Sequence, residues 1–174
     1  MNVIRNNTKL VKQTNIELVT AVLRDLGQAT RAEISAITGL SVATCGNILR
    51  NLLATGEIWE GELVESSGGR PSRKFIYNAN YSLALCISVM SDRKSHMLDY
   101  ALVNLQGQII KKDSSKHDMI TFEEIDNLIA KIIKKNKAIQ AICIGIPGMV
   151  RDGVVKYCDA EALNGVAIKE MLNE

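Results

Sequence analysis

Between Ser41 and Arg50 the chain reads SVATCGNILR, and its polar members carry the chemistry of base recognition. An asparagine carboxamide matches the edge of adenine with two hydrogen bonds, and an arginine guanidinium matches guanine or holds a phosphate. Asn47 and Arg50 are three residues apart, so one helix face presents both. Val42, Ala43, Thr44 and Gly46 complete that candidate face with small or hydroxylated side chains that allow close approach. Further along, Arg70, Arg73 and Lys74 fall in a stretch, Ser66 to Lys74, that contains no acid. An arginine on a narrow G-R-P segment can enter an A·T-rich minor groove, where negative potential is strongest. The plainer alternatives are a helical hairpin with a solvated face and an ordinary surface loop.

The elements that must position these residues are marked by caps. T-x-x-E at Thr14 and Glu17 predicts a helix starting at Thr14 or Asn15, with Ile16, Val19, Leu23 and Leu26 on one side and Gly27 ending it. Thr30 with Glu33 predicts a second helix through Thr38, with Ile34 and Ile37 facing inward and Arg31 at its exposed start. After the turn Gly39-Leu40-Ser41, Ser41 caps a third helix with Cys45, Leu49, Leu52 and Leu53 inward and Gly56 at its end. Helix, three-residue turn, helix is the spacing of a helix-turn-helix. EIWEGELVE and RKFIYN, joined by SSGGRPS, then read as a two-stranded wing.

From Asn80 the pattern changes. SLALCISVM reads as a buried strand, and MLDYALVNL and QIIKK as a hairpin about Gln106-Gly107. Thr121 and Glu124 form a third capping box before an amphipathic helix carrying Ile125, Leu128, Ile129, Ile132 and Ile133, with a lysine run at its C-terminal end that the helix dipole explains. AIQAICIGI is apolar almost throughout, which predicts a strand covered on both faces after a crossover helix. The loop after such a strand lies at the carboxyl edge of the sheet, so Pro147 and Gly148 are candidate ligand-side residues, or a structural turn.

A length of 174 residues with 47% apolar content can bury a core in one ordinary domain or two small ones. The net charge of +2 excludes a polybasic coat: residues 1–80 hold nine Lys/Arg against seven acids, and the remainder twelve of each. The four cysteines lack CxxC spacing and read as small buried hydrophobes; neither they nor His96 and His117 suggest a metal site, and both histidines are expected at the surface. Apolar stretches are too short for a membrane span and the N-terminus shows no secretory signal, so a cytoplasmic protein is expected.

TRAEISAITGLSVATCGNILRNLLATGEI, GGRPSRKFIYNANY, AICIGIPGMVRDGVV and LNGVAIKEMLNE, in that order, resemble the repressor branch of the ROK family of repressors and sugar kinases. The resemblance covers roughly residues 10–174. It implies an α+β and α/β chain, with a winged helix-turn-helix over residues 1–80 and one lobe of an actin-like, ribonuclease H-like ATPase fold over 81–174. It also implies a homodimer bound to double-stranded operator DNA and a sugar effector that shifts the DNA-binding heads. The chain departs from the family at SVMSDRKS, which has no glycine to cradle a phosphate, so no ATP site is expected. The family's N-D-A-N, E-x-G-H and Cys-rich zinc segments have no counterpart, which reads as an effector domain cut near its middle.

These readings converge on a non-enzymatic DNA-binding regulator of sugar-metabolism genes, with no catalytic residue, cofactor or metal. The DNA-facing set is Arg31, Ser41, Val42, Ala43, Thr44, Gly46, Asn47, Arg50, Arg70, Arg73 and Lys74. The alternatives are a ROK sugar kinase, which needs a phosphate loop and an Asp base, and a dimerising interaction module.

Overall fold

The structure is a computed structural model and describes residues 2–66, 69–92 and 95–172. Two compact units divide the chain, residues 1–81 and 82–174. Among the described residues, no single helix is long and apolar enough to cross a membrane.

In the first unit, α1 (Asn2–Leu26) is followed by β1 (Gln28–Thr30), α2 (Arg31–Thr38), α3 (Val42–Thr55), β2 (Ile58–Ser66) and β3 (Gly69–Tyr77). The early start of α1 corrects the boundary expected at Thr14. No glycine or proline interrupts residues 2–26, so the helix runs through Thr14, and Glu17 instead accepts a hydrogen bond from Gln13 Nε2 at 3.0 Å. The box at α2 does form: Thr30 Oγ1 accepts from the Glu33 amide at 3.3 Å, and Glu33 Oε2 accepts from the Thr30 amide at 2.7 Å. Gly39 ends α2 at φ 71°, a left-handed conformation that a side chain would resist.

The core of this unit joins Val19 and Leu23 of α1, Ile34 of α2, Cys45, Ile48, Leu49 and Leu52 of α3, Ile58 of β2 and Phe75 of β3. Ile37 is not part of it: at 59% exposure it lies on the outer side of α2, because Ser35 and Thr38 turn inward to bond the Leu40 and Ile34 carbonyls. The strands form an antiparallel sheet in the order β1-β3-β2, with Thr30 opposite Lys74 and Trp59 opposite Ile76.

The second unit is built on β4 (Leu83–Asp92), β5 (Ser95–Asn104), β6 (Ile109–His117), α4 (Phe122–Lys135) and β7 (Ile139–Gly145). The hairpin β8 (Gly148–Arg151) and β9 (Val154–Cys158) follows, then a short turn of 3-10 helix and α5 (Ile168–Met171). Its main sheet has the order β6-β5-β4-β7, antiparallel except for the parallel pairing of β4 with β7. Parallel neighbours need a crossover, and α4 supplies it with Ile125, Ile129 and Ile132 buried in the cluster that holds Leu85, Ile87 and Val89. The Thr121–Glu124 capping box starts α4, and Glu124 also meets His117 Nδ1 at 3.1 Å. His96 and His117 reach the surface half-buried, with Ser91 bonded to His96 at 2.7 Å and Ser115 to His117 at 2.8 Å.

The strand β7 corrects a second expectation. Among the described residues it pairs only with β4, and Gln140, Ala141, Ile142 and Cys143 are exposed, so its apolar run is not covered on both faces there. Cys45 and Cys158 are buried as expected, whereas Cys86 is half-buried and Cys143 exposed.

Candidate nucleic-acid interface

Burial of one stripe of α3 decides what its other side offers. Cys45, Ile48, Leu49 and Leu52 point into the core, which leaves Val42, Ala43, Asn47 and Arg50 exposed. The helix turns through 117° from α2, inside the range of about 90–120° typical of helix-turn-helix pairs. Ser41 Oγ accepts from the Thr44 amide at 3.1 Å and lies 2.9 Å from Thr44 Oγ1, so the first turn is held closed by side chains that themselves face outward.

Gly46 is not on the exposed face. It is buried, and the guanidinium of Arg31 lies over it: a Cβ at Gly46 would stand 3.2 Å from Arg31 Cζ. The glycine thus makes room for an arginine from the start of α2, bringing Arg31 against the middle of α3. Arg31 has no ion-pair partner among the described residues. Asn51 was missed by the sequence reading; it is exposed one turn beyond Asn47, and its i, i+4 spacing was the available signal.

The strand residues look different in space from the way they look along the chain. Arg73 Nη1 donates to Glu60 Oε2 of β2 at 2.6 Å, with both side chains about half exposed. Lys74 stands across from Thr30 and close enough to Glu33 to help keep that carboxyl below its ordinary value, an effect owed first to the hydrogen bonds from Thr30. The acid-free stretch therefore has acids beside it, contributed by β2 and α2. Arg70 is part of β3, but its side chain lies outside the described residues. A depression of about 570 Å³ runs between α2, the start of α3 and the two strands, lined by Arg31, Val42, Leu63, Pro71, Arg73 and others.

Pro147 and Gly148 link β7 to β8. Gly148 is fixed by packing, since a Cβ there would fall 2.0 Å from the Tyr157 carbonyl oxygen on β9. No group of three or more His, Cys, Asp or Glu among the described residues could hold a metal ion.

Helices and mixed sheets in this order make an α+β chain. A crystal structure described as a ROK family transcriptional regulator, homolog of the E. coli MLC protein, superposes with a TM-score of 0.62 over 93% of this chain and 43% of that one; at 22% identity the likeness speaks to fold. Among curated proteins, the chain is 30% identical over 178 residues to a provisionally named xylose repressor of Caldicellulosiruptor sp. strain Rt8B.4, covering 95% of this chain and 43% of that protein. It is 28% identical over 153 residues to the xylose repressor of Caldicellulosiruptor bescii, covering 83% and 37%. The chain spans about two-fifths of the length of these relatives. No family model matches it. The resemblance to ROK repressors read from the sequence is borne out by these likenesses.

Proposed function

We propose that the chain is a sequence-specific DNA-binding repressor, with a winged helix over residues 1–80 and one lobe of an actin-like effector fold over residues 81–174. The observation that carries the reading is the outer face of α3, where Asn47 and Arg50 stand exposed beside Arg31, which has no ion-pair partner among the described residues. In this reading α3 enters the major groove, Asn47 and Arg50 meet base edges, and Ser41 and Thr44 hold the helix start against a phosphate. Val42 and Ala43 offer methyl contacts to thymine, Arg31 and Lys74 bind the backbone, and Arg70 reaches an adjacent minor groove. Gly46 acts through Arg31, and Arg73 joins when it leaves Glu60.

Two heads paired by a two-fold axis would read a palindrome, so the working form is a homodimer on operator DNA. The names of the curated relatives favour genes of sugar metabolism as targets, with a sugar as effector and Pro147 and Gly148 on the ligand side. The reaction of a sugar kinase plays no part, and the site of action is the cytoplasm.

Selection of bound duplexes from a random DNA pool tests the proposal. An enriched palindromic sequence, bound in a salt-sensitive way and released by a pentose or hexose, is the expected result. Enrichment of no sequence, or binding that salt does not weaken, overturns it.

A further inference from the structure

One row of residues crosses all four strands of the second unit's main sheet: Lys112 on β6, Ala101 on β5, Cys86 on β4 and Cys143 on β7 are successive register partners. Leu85, Ile87 and Val89 of β4 point into the core beneath α4, so the alternating residue Cys86 points to the opposite face of the sheet. Cys143, its register partner, points the same way. That face is lined by small side chains, Ala84, Ser88, Ala101 and Ala141 among them, and carries a shallow depression of about 510 Å³ that Cys86, Asp99, Ala101 and Lys112 help to line. Both thiols are free.

From this we infer that Cys86 and Cys143 form a reversible dithiol pair, a site for thiol–disulfide exchange with a small-molecule disulfide of the glutathione class. The geometry lies at the margin of what a disulfide accepts. Neighbouring strands stand about 4.8 Å apart, within the range of about 4.4–6.8 Å between Cα atoms of a disulfide. Parallel Cβ bonds on one face leave the Cβ atoms at a similar separation, wider than the mean of about 3.8 Å; because the ladder hydrogen bonds already fix the strand spacing, closing the bond requires a local twist of β7 that tilts the two Cβ bonds toward each other. Among the described residues β7 pairs with β4 alone, so no strand on its other side opposes that twist. The resulting bond is strained, and a strained disulfide is one that excess thiol reopens.

Access sets the order of events. Cys143 is exposed and Cys86 half-buried, so the Cys143 thiolate attacks the small disulfide first, forming a mixed disulfide and releasing one thiolate. The Cys86 thiolate then attacks the Cys143 sulfur and expels the second. The protein loses two hydrogens, and one molecule of oxidised glutathione becomes two of the reduced thiol. The closed bond clamps β7 to β4. This inference is independent of the DNA-binding reading.

Non-reducing peptide mapping of the full chain after incubation with oxidised glutathione tests it. The expected product is a Cys86–Cys143 cross-linked peptide, with the buried Cys45 and Cys158 left as thiols and the cross-link lost on adding excess reduced glutathione. Cys86→Ser should then trap glutathione on Cys143. A wild-type chain that keeps glutathione on Cys143 with Cys86 free overturns the inference, as do cross-links through Cys45, Cys158 or a second copy's Cys143. A Cys86→Ser chain that takes up no glutathione also overturns it. The wild-type map needs no variant to fold.

Discussion

On the outer face of α3, the guanidinium of Arg50 donates a hydrogen bond to the carboxamide oxygen of Asn47, one turn before it. Both side chains are exposed, so the contact orders two flexible groups on the face proposed to meet bases. It also occupies the oxygen that would accept from the adenine amino group, so reading adenine requires Asn47 to give up its arginine.

The two residues are therefore expected to act as a unit. Asn47→Ala and Arg50→Ala should each weaken the selected operator by about 1–3 kcal/mol, the usual worth of one good base contact. The double variant should lose less than the sum. Fluorescence anisotropy titrations arranged as a double-mutant cycle measure this, and strict additivity would show that the contact has no role in binding.

Gly46 gives a prediction in which stability and binding move apart. Glycine within a helix costs about 0.5–1 kcal/mol relative to alanine, and α3 carries that cost under the Arg31 guanidinium. Gly46→Ala should leave the melting temperature unchanged or raised, because a flexible arginine can yield a few tenths of an ångström. DNA affinity should fall as Arg31 is displaced, and the fall should vanish in an Arg31→Ala background. Persistence of the loss in that background would separate Gly46 from Arg31.

Much of this arrangement was legible beforehand. The caps at Thr30, Ser41 and Thr121 were readable because a side-chain acceptor three residues ahead of an amide is a local feature. What escaped was non-local. Thr14 has the same local signature, yet the helix continues through it, since an N-cap forms only where the preceding chain is not helical. Gly46 looked like an outward position until an arginine from another helix covered it. The strand β7 has the apolar run of a central strand, and only sheet order reveals that nothing pairs with its second edge among the described residues. Acids beside Arg73 and Lys74 come from β2 and α2, which spacing along β3 could not show.

The Arg73–Glu60 pair limits how much charge the strands offer to DNA. An exposed pair of this kind contributes about 0–1 kcal/mol to stability, so Glu60→Gln should hardly change the melting temperature. It frees one guanidinium. Affinity for unrelated duplexes should rise, and the slope of log K against log salt should steepen by about 1, as for one added phosphate contact. An unchanged slope would mean that Arg73 faces away from the DNA.

The box at α4 predicts how the second unit responds to acid. The carboxyl of Glu124 is held below its ordinary value of 4.5, first by the Thr121 amide that donates to it and then by His117, against the opposing effect of burial. A carboxyl depressed by folding stabilises the folded chain at pH values above its unfolded pKa. That contribution is lost as the pH falls through the lower folded value. Glu124→Gln keeps an amide oxygen for the Thr121 amide but has no proton to gain. It should therefore be less stable than wild type at pH 7, with the gap narrowing below pH 4.5. Urea melts across that range measure the gap, and one that widened on acidification would mean that the unfolded chain, rather than the folded one, holds the Glu124 carboxylate more tightly.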